Sequence, residues 1–193
     1  KNFKVQIIRS TLMVTATTFM FFSLQKFDLV DIYVVFFTAP LIVSLLSAYF
    51  LKDILTIKGV ILMLLSFGSI IYSLGPSMKI FNIDLIFPII PPICWALYQF
   101  FTKVISNDND PFAAIFYTSI LGAIIFSIFI IFNWEPLEKN IYWIYLILIG
   151  LAGFISHSLI IYAIQLSNLS FVTNFQYSQL VWSTIVNFLI FGV

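Results

Sequence analysis

The chain has 193 residues, of which 62% are hydrophobic, 19% aromatic and only 9% charged, with a net charge of +1 and a mean hydropathy of +1.10. A water-soluble domain carries about a quarter charged residues, so a soluble fold is excluded, and the small net charge without a basic cluster excludes nucleic acid as a partner. One cysteine, Cys94, excludes an intrachain disulfide and any multi-cysteine metal site.

Long uncharged runs separate the charges: Ser10–Gln25, Ile32–Leu51, Gly59–Met78, Leu85–Thr102, Pro111–Trp134 and Asn140–Val193. A bilayer core about 30 Å thick takes roughly 20 apolar residues per helical span, and the last run is long enough for two. The pattern predicts an all-α polytopic membrane helix bundle with seven transmembrane helices.

The first helix is expected at Val5–Phe22; Lys4 and Arg9 flank its apolar run, and no small-residue cleavage site follows it. The second, Asp31–Leu51, aligns Pro40, Ser44 and Ser47 on one face. The third, Ile57–Leu74, does the same with Gly59, Ser66 and Ser73. Both stripes suit close helix packing. After the turn Gly75-Pro76-Ser77, the fourth helix runs over Leu85–Ile105. Its Pro88, Pro91 and Pro92 each remove a backbone donor and predict a kink. Trp95, Tyr98 and Gln99 follow, and both cavity lining and plain aromatic packing are open for them. Lys103 is expected to snorkel to the membrane surface.

Asn107-Asp108-Asn109-Asp110 leads into a fifth helix at Pro111–Phe132, and Glu135-Pro136 separates it from a sixth at Ile141–Leu166. The sixth holds the single histidine, His157, on one face with Gly150 and Gly153, a surface suited to close helix approach. Its imidazole either bonds a neighbouring helix or meets the substrate as a proton-sensitive group. A short polar loop, Ser167-Asn168-Leu169-Ser170, makes the seventh helix, Phe171–Gly192, an antiparallel neighbour. Gln176, Gln179, Ser183 and Asn187 lie on it at i, i+3, i+7 and i+11, one narrow stripe. Amides facing lipid are costly, so this stripe faces protein or a watery cavity, and the second reading is favoured. No Asp or Glu lies mid-span, which disfavours proton coupling through a carboxylate.

Lys and Arg in short loops orient a bundle. Lys1, Lys4, Arg9, Lys52, Lys58 and Lys103 lie on the side of the first residue, against Lys26, Lys79 and Lys139 opposite. This predicts a multi-pass protein of the inner (cytoplasmic) membrane with its first residue in the cytoplasm.

Sliding the chain on itself by 140 residues lays Phe22-Ser23-Leu24-Gln25 over Tyr162-Ala163-Ile164-Gln165, Asp28-Leu29 over Asn168-Leu169, Phe37-Thr38 over Tyr177-Ser178 and Ser44-Leu45 over Thr184-Ile185. The first two helices then equal the sixth and seventh. A period of five helices is odd, so the copies would be inverted, an arrangement typical of secondary transporters. Completing both copies calls for two helices before Lys1 and one after Val193, ten in the parent.

Trp95-Ala96-Leu97-Tyr98-Gln99 with Lys103 and Asp110-Pro111 resembles the opening of the second EamA repeat of the drug/metabolite transporter superfamily. Ala39-Pro40-Leu41, Phe50-Leu51-Lys52-Asp53, Thr56 and Gly59 resemble the first repeat's Pro-containing helix, its acidic end and the Gly-bearing helix that follows. The chain departs from the pattern in having Asp53 rather than Glu, and Leu180 at the second copy's proline position. The resemblance implies helices three to nine of ten: residues 1–75 end the first repeat, 76–84 link the two, and 85–193 form the second repeat without its last helix.

These readings combine into a secondary transporter that moves a small organic metabolite by alternating access, with uniport or exchange favoured. Trp95, Tyr98, Gln99, His157, Gln176, Gln179, Ser183 and Asn187 are the expected substrate-binding residues, suited to a polar, zwitterionic or cationic solute held partly by aromatic faces. No catalytic residue, metal or cofactor is expected. The expected partners are a small-molecule substrate and the lipid bilayer, and a homodimer is admissible. A membrane-embedded enzyme is the alternative from another class, disfavoured because no metal-spaced cluster, nucleophile–base pair or phosphate loop is present; a channel or scaffold subunit is the other.

Overall fold

A computed structural model of the chain describes residues 3–53, 57, 59–61, 64–65, 68, 84, 86–106, 111–132, 134 and 136–191, with the backbone alone at 30, 180, 183, 184, 187, 190 and 191. The labelled helices are α1 (Phe3–Leu24), α2 (Leu29–Phe36), α3 (Ala39–Leu46), α4 (Ile86–Val104), α5 (Pro111–Phe132), α6 (Ile141–Leu166), α7 (Leu169–Asn174) and α8 (Ser178–Phe191). A π-helical turn, Ser47–Leu51, extends α3, and a 3-10 turn, Phe175–Tyr177, joins α7 to α8. Residues 57, 59–61, 64–65 and 68 are helical. The remainder of the expected third helix, with Ser66 and Ser73, lies outside the described residues, as do the turn at 75–77 and the loop at 107–110.

Among the described residues, four stretches are long and apolar enough to cross a bilayer: Phe3–Leu24, Asp31–Leu51, Pro111–Phe132 and Ile141–Leu166. The chain is a multi-pass membrane protein. α5 and α6 turn nearly all of their apolar side chains outward, as a helix surrounded by lipid does. Trp134 and Trp143 meet with ring centroids 6.4 Å apart where α5 gives way to α6, the amphipathic pairing that favours a membrane–water boundary.

The bundle centres on α4, which packs against α1, α2 and α3. Ala96 is fully buried and joins Val43, Ile164 and Leu169 in one apolar cluster, so a small side chain lets α3, α6 and α7 converge on α4. Pro88 falls in the first turn of α4, where the backbone donors have no intrahelical partner in any case. Pro91 and Pro92 take the i+4 donors from the carbonyls of Phe87 and Pro88, yet the helix continues through both, and all three prolines are buried. Pro40, Ser44 and Ser47 are buried together along α3, as their shared face requires.

Local geometry recurs at a spacing of 140 residues. α2 and α7 begin at Leu29 and Leu169, each after an extended residue, Asp28 and Asn168. The first turn closes by Ile32 N–H to Asp28 O and by Val172 N–H to Asn168 O, both 3.2 Å. Both helices then break. Thr38 N–H bonds Val35 O and Ser178 N–H bonds Phe175 O, while the Thr38 and Ser178 hydroxyls donate to those same two carbonyls at 2.7 Å. The breaks meet each other: Phe37 and Tyr177 stack at 5.8 Å, and the Tyr177 hydroxyl donates to Phe37 O at 3.1 Å. Pro40 follows the first break and Leu180 holds the equivalent place after the second, so proline is not the shared cause. The shared cause is a hydroxyl that back-bonds a carbonyl three residues earlier, a local competitor of the helical ladder.

Two charged groups fasten helix ends to one another. Lys52 adopts φ 57° and ends the π turn, bringing Asp53 back to accept from Ser47 Oγ and from Leu169 N–H at 3.1 Å. The carboxylate thus satisfies a donor left free at the start of α7. Lys103 donates to Ile164 O at 2.8 Å and Ser167 O at 2.7 Å. The snorkelling expected of it gives way to capping, because the last carbonyls of α6 lack intrahelical partners and sit at the negative end of the helix dipole.

Replacing Tyr177 with Phe keeps the stack and deletes the hydroxyl bond to Phe37 O. The expected cost is about 0.6 kcal/mol, with an upper range near ~1.7, read as a lowered thermal midpoint of purified protein in detergent. Tyr177→Ala, which also removes the ring, lowers it much further.

Candidate functional site

The interior between α1, α4, α5 and α6 sets polar side chains beside a buried apolar cluster of Ala114, Ile115 and Ile161. Trp95 and Tyr98 lie three residues apart on α4 and stack at 5.5 Å with 27° between planes. Trp95 also meets the His157 ring edge-on at 5.7 Å and Phe36, the last residue of α2, at 6.1 Å. One indole therefore touches the first helix break and the sixth expected span together. One residue beyond Tyr98, Gln99 is fully buried and its Oε1 accepts from Gln176 Nε2 at 3.0 Å, out of the 3-10 turn of the second break. Trp95 Nε1 and Gln99 Nε2 are buried without a hydrogen-bond partner among the described residues.

A cavity of ≈ 190 Å³ adjoins this cluster, lined by Met13, Tyr98, Thr118, Ser119, Gly150 and His157 among others. Gly150 and Gly153 were expected to support close helix approach. A Cβ added at either meets nothing within 4 Å; the space beside Gly150 is the cavity, not a neighbouring helix. Of the expected residues, Trp95, Tyr98 and His157 meet through their rings, and Gln99 pairs with Gln176 one residue further along α4. Gln179 is exposed in the first turn of α8. Ser183 and Asn187 lie on α8, with side chains outside the described residues.

Arg9 corrects the sequence reading most sharply. Counted with the loop cations, it lies inside α1 with 0% of its surface exposed. Its guanidinium donates to Thr102 Oγ1 at 3.3 Å, to Ala114 O and to Thr118 Oγ1 at 3.0 Å, and sits 5.1 Å from the centroid of the Tyr98 ring. The π-face that was expected to hold a cationic solute thus already holds an internal cation. The tally of Lys and Arg on the side of the first residue falls from six to five, against three. Gln6, one turn earlier on the same face, is 2% exposed. The signal available was Gln6, Arg9, Ser10 and Met13 at i, i+3, i+4 and i+7, one helical face.

The pair Gln99–Gln176 ties α4 to the second break. Gln99→Leu strands the Gln176 amide and lowers the thermal midpoint, whereas Gln99→Leu with Gln176→Leu recovers part of the loss. A double-mutant cycle should return a coupling of about 0.5–2 kcal/mol.

The EamA-like transporter family model matches residues 83–193, more than half of the chain. The S-adenosylmethionine uptake transporter of Rickettsia bellii (strain RML369-C) is 22% identical over 196 residues, covering 97% of this chain and 64% of that relative; the chain therefore spans a little under two thirds of its length. No solved structure matches the chain. With a family model over most of its second half and interior, and with the motifs around Trp95 and Pro40 in their expected order, the chain belongs to the EamA-like transporter family of the drug/metabolite transporter superfamily.

Proposed function

We propose that the full protein is a secondary transporter carrying a small organic metabolite across the cytoplasmic membrane by alternating access, as a uniporter or exchanger and without catalysis. The observation that carries this reading is the pair of matched helix breaks, 140 residues apart, that stack on each other at Phe37 and Tyr177. Broken helices are tolerated at membrane depth only where protein or a cavity satisfies the freed backbone, and in transporters they flank the substrate site between repeats. Residues 1–75 and 85–193 would be the two repeats, inverted because five helices separate equivalent points, and 76–84 the link. Five loop cations against three favour the first residue in the cytoplasm.

The site is the set Trp95, Tyr98, Gln99, His157 and Gln176, with Gln179, Ser183 and Asn187 extending it along α8. The donors on Trp95 and Gln99 read polar groups of the solute, and the Trp95 ring offers a face for a planar one. S-adenosylmethionine, the solute named for the relative from Rickettsia bellii, combines a planar base with amino and carboxylate groups and is the first cargo to test.

Proteoliposomes holding the full-length protein should take up labelled S-adenosylmethionine saturably, and unlabelled solute inside should accelerate entry. Trp95→Ala should cut the initial rate about tenfold or more, the loss of roughly 1.4 kcal/mol or more of site contact. Uptake that rises linearly with concentration and ignores internal solute would indicate a channel and sink the alternating-access reading.

A further inference from the structure

His157 opens onto the ≈ 190 Å³ cavity, which is walled around it by Met13 of α1, Tyr98 of α4, Thr118 and Ser119 of α5, and Gly150 of α6. Side chains on a helix lean toward its N-terminus, so the imidazole leans toward Gly153 and Gly150, where no side chain of α6 stands in the way. A space of this size holds on the order of six waters at ~30 Å³ each. An imidazole beside it can take up a proton and stay hydrated. Histidine is the side chain whose ordinary titration falls between about pH 5 and 8.

The charged and titratable groups that face His157 from the packed elements keep their state over that range. From α1 comes Arg9, one side chain behind the wall against Tyr98 and Thr118 and protonated throughout. From α4 comes the Tyr98 phenol, whose ordinary titration lies near pH ~10. α5 brings the neutral hydroxyls of Thr118 and Ser119. Tyr117 and Tyr162 pack instead on Phe3 and Phe112, Cys94 is not on the wall, and Lys103 is held at the end of α6. Among the described residues, a proton on His157 is therefore the change that pH brings to the charge of this cavity. The imidazole also meets the Trp95 ring, 5.7 Å between centroids.

We propose that His157 is the proton-binding group of the cavity and makes it discriminate solutes by charge according to pH. This inference rests on the transport reading and adds a regulation to the same site. The step is a reversible proton transfer between cavity water and one imidazole nitrogen. Unprotonated, the ring leaves the negative face of the Trp95 indole to a cationic group of the solute. Protonated, it takes that cation's place against Trp95 and adds a second positive charge to that of Arg9. A cationic solute is then repelled at short range, where screening is weak.

A ligand-free readout is the fluorescence of the purified full-length protein, taken as wild type minus Trp95→Phe, since an imidazolium against an indole quenches it far more than a neutral ring does. It should fall along a one-proton curve between about pH 8 and pH 4.5 and stay flat in His157→Gln. Binding is then titrated at both ends of that range with S-adenosylmethionine and with S-adenosylhomocysteine, the thioether without the sulfonium charge. At acid pH wild type should lose about tenfold or more of its affinity for the sulfonium compound and much less for the thioether. In His157→Gln the two affinities should change alike. If that variant fails to fold, the wild-type fluorescence curve and the sulfonium–thioether difference still decide the matter. A flat wild-type curve, a curve that persists in His157→Gln, or a sulfonium affinity that is absent or equal at both ends overturns the inference. Intact pH-dependent binding without saturable vesicle uptake overturns the transport reading alone.

Discussion

A bilayer provides no water to rescue an unpaired peptide group, so a chain that breaks its helices within the membrane must satisfy the exposed backbone from inside the protein. Here the structure does so twice and in register. Thr38 and Ser178 turn their hydroxyls back onto Val35 O and Phe175 O, and Tyr177 reaches across to Phe37 O. A ring stack and one hydrogen bond then join the two breaks. Beside that junction Gln176 meets Gln99 and Phe36 meets Trp95.

Helix positions were legible wherever an apolar run had polar or proline boundaries. Pro111–Phe132 and Ile141–Leu166 have the ends read from the sequence, since Pro111 pre-sets a first turn and polar residues close each run. The breaks were not legible, because Phe37 and Tyr177 are as apolar as their neighbours and hydropathy runs through them. Pro40 hinted at the first break and Leu180 hid the second. Only the 140-residue offset, read from a handful of matched pairs, anticipated that Phe37 and Tyr177 correspond, and no sequence pattern states that they touch.

The buried polar and aromatic residues stood out one by one in the sequence, but their contacts did not. Gln99 and Gln176 each stood out as amides in apolar helices, yet their pairing is a tertiary fact. Arg9 was missed for a different reason. A cation near the end of an apolar run reads as an interfacial flank, and position along the run does not reveal whether a side chain points to headgroups or to Tyr98. Lys103 shows the same ambiguity, with Ile164 O and Ser167 O taking the ammonium that composition assigned to the surface. Helical phase, not distance from the run's end, separates the two outcomes.

The carboxylate of Asp53 has a thermodynamic consequence. It bridges the π turn after α3 to the start of α7, and residue 193, 140 positions on, is Val193. Two halves that exchange roles during a transport cycle would have equal resting populations if their latches matched. Under the proposed alternating-access cycle, an acid at one place and an apolar residue at the other would set the two end states at different energies, and each ~1.4 kcal/mol would weight the resting population tenfold toward one side. The empty protein would then wait with its cavity open to a preferred compartment, a bias written by a single side chain rather than by the bundle as a whole.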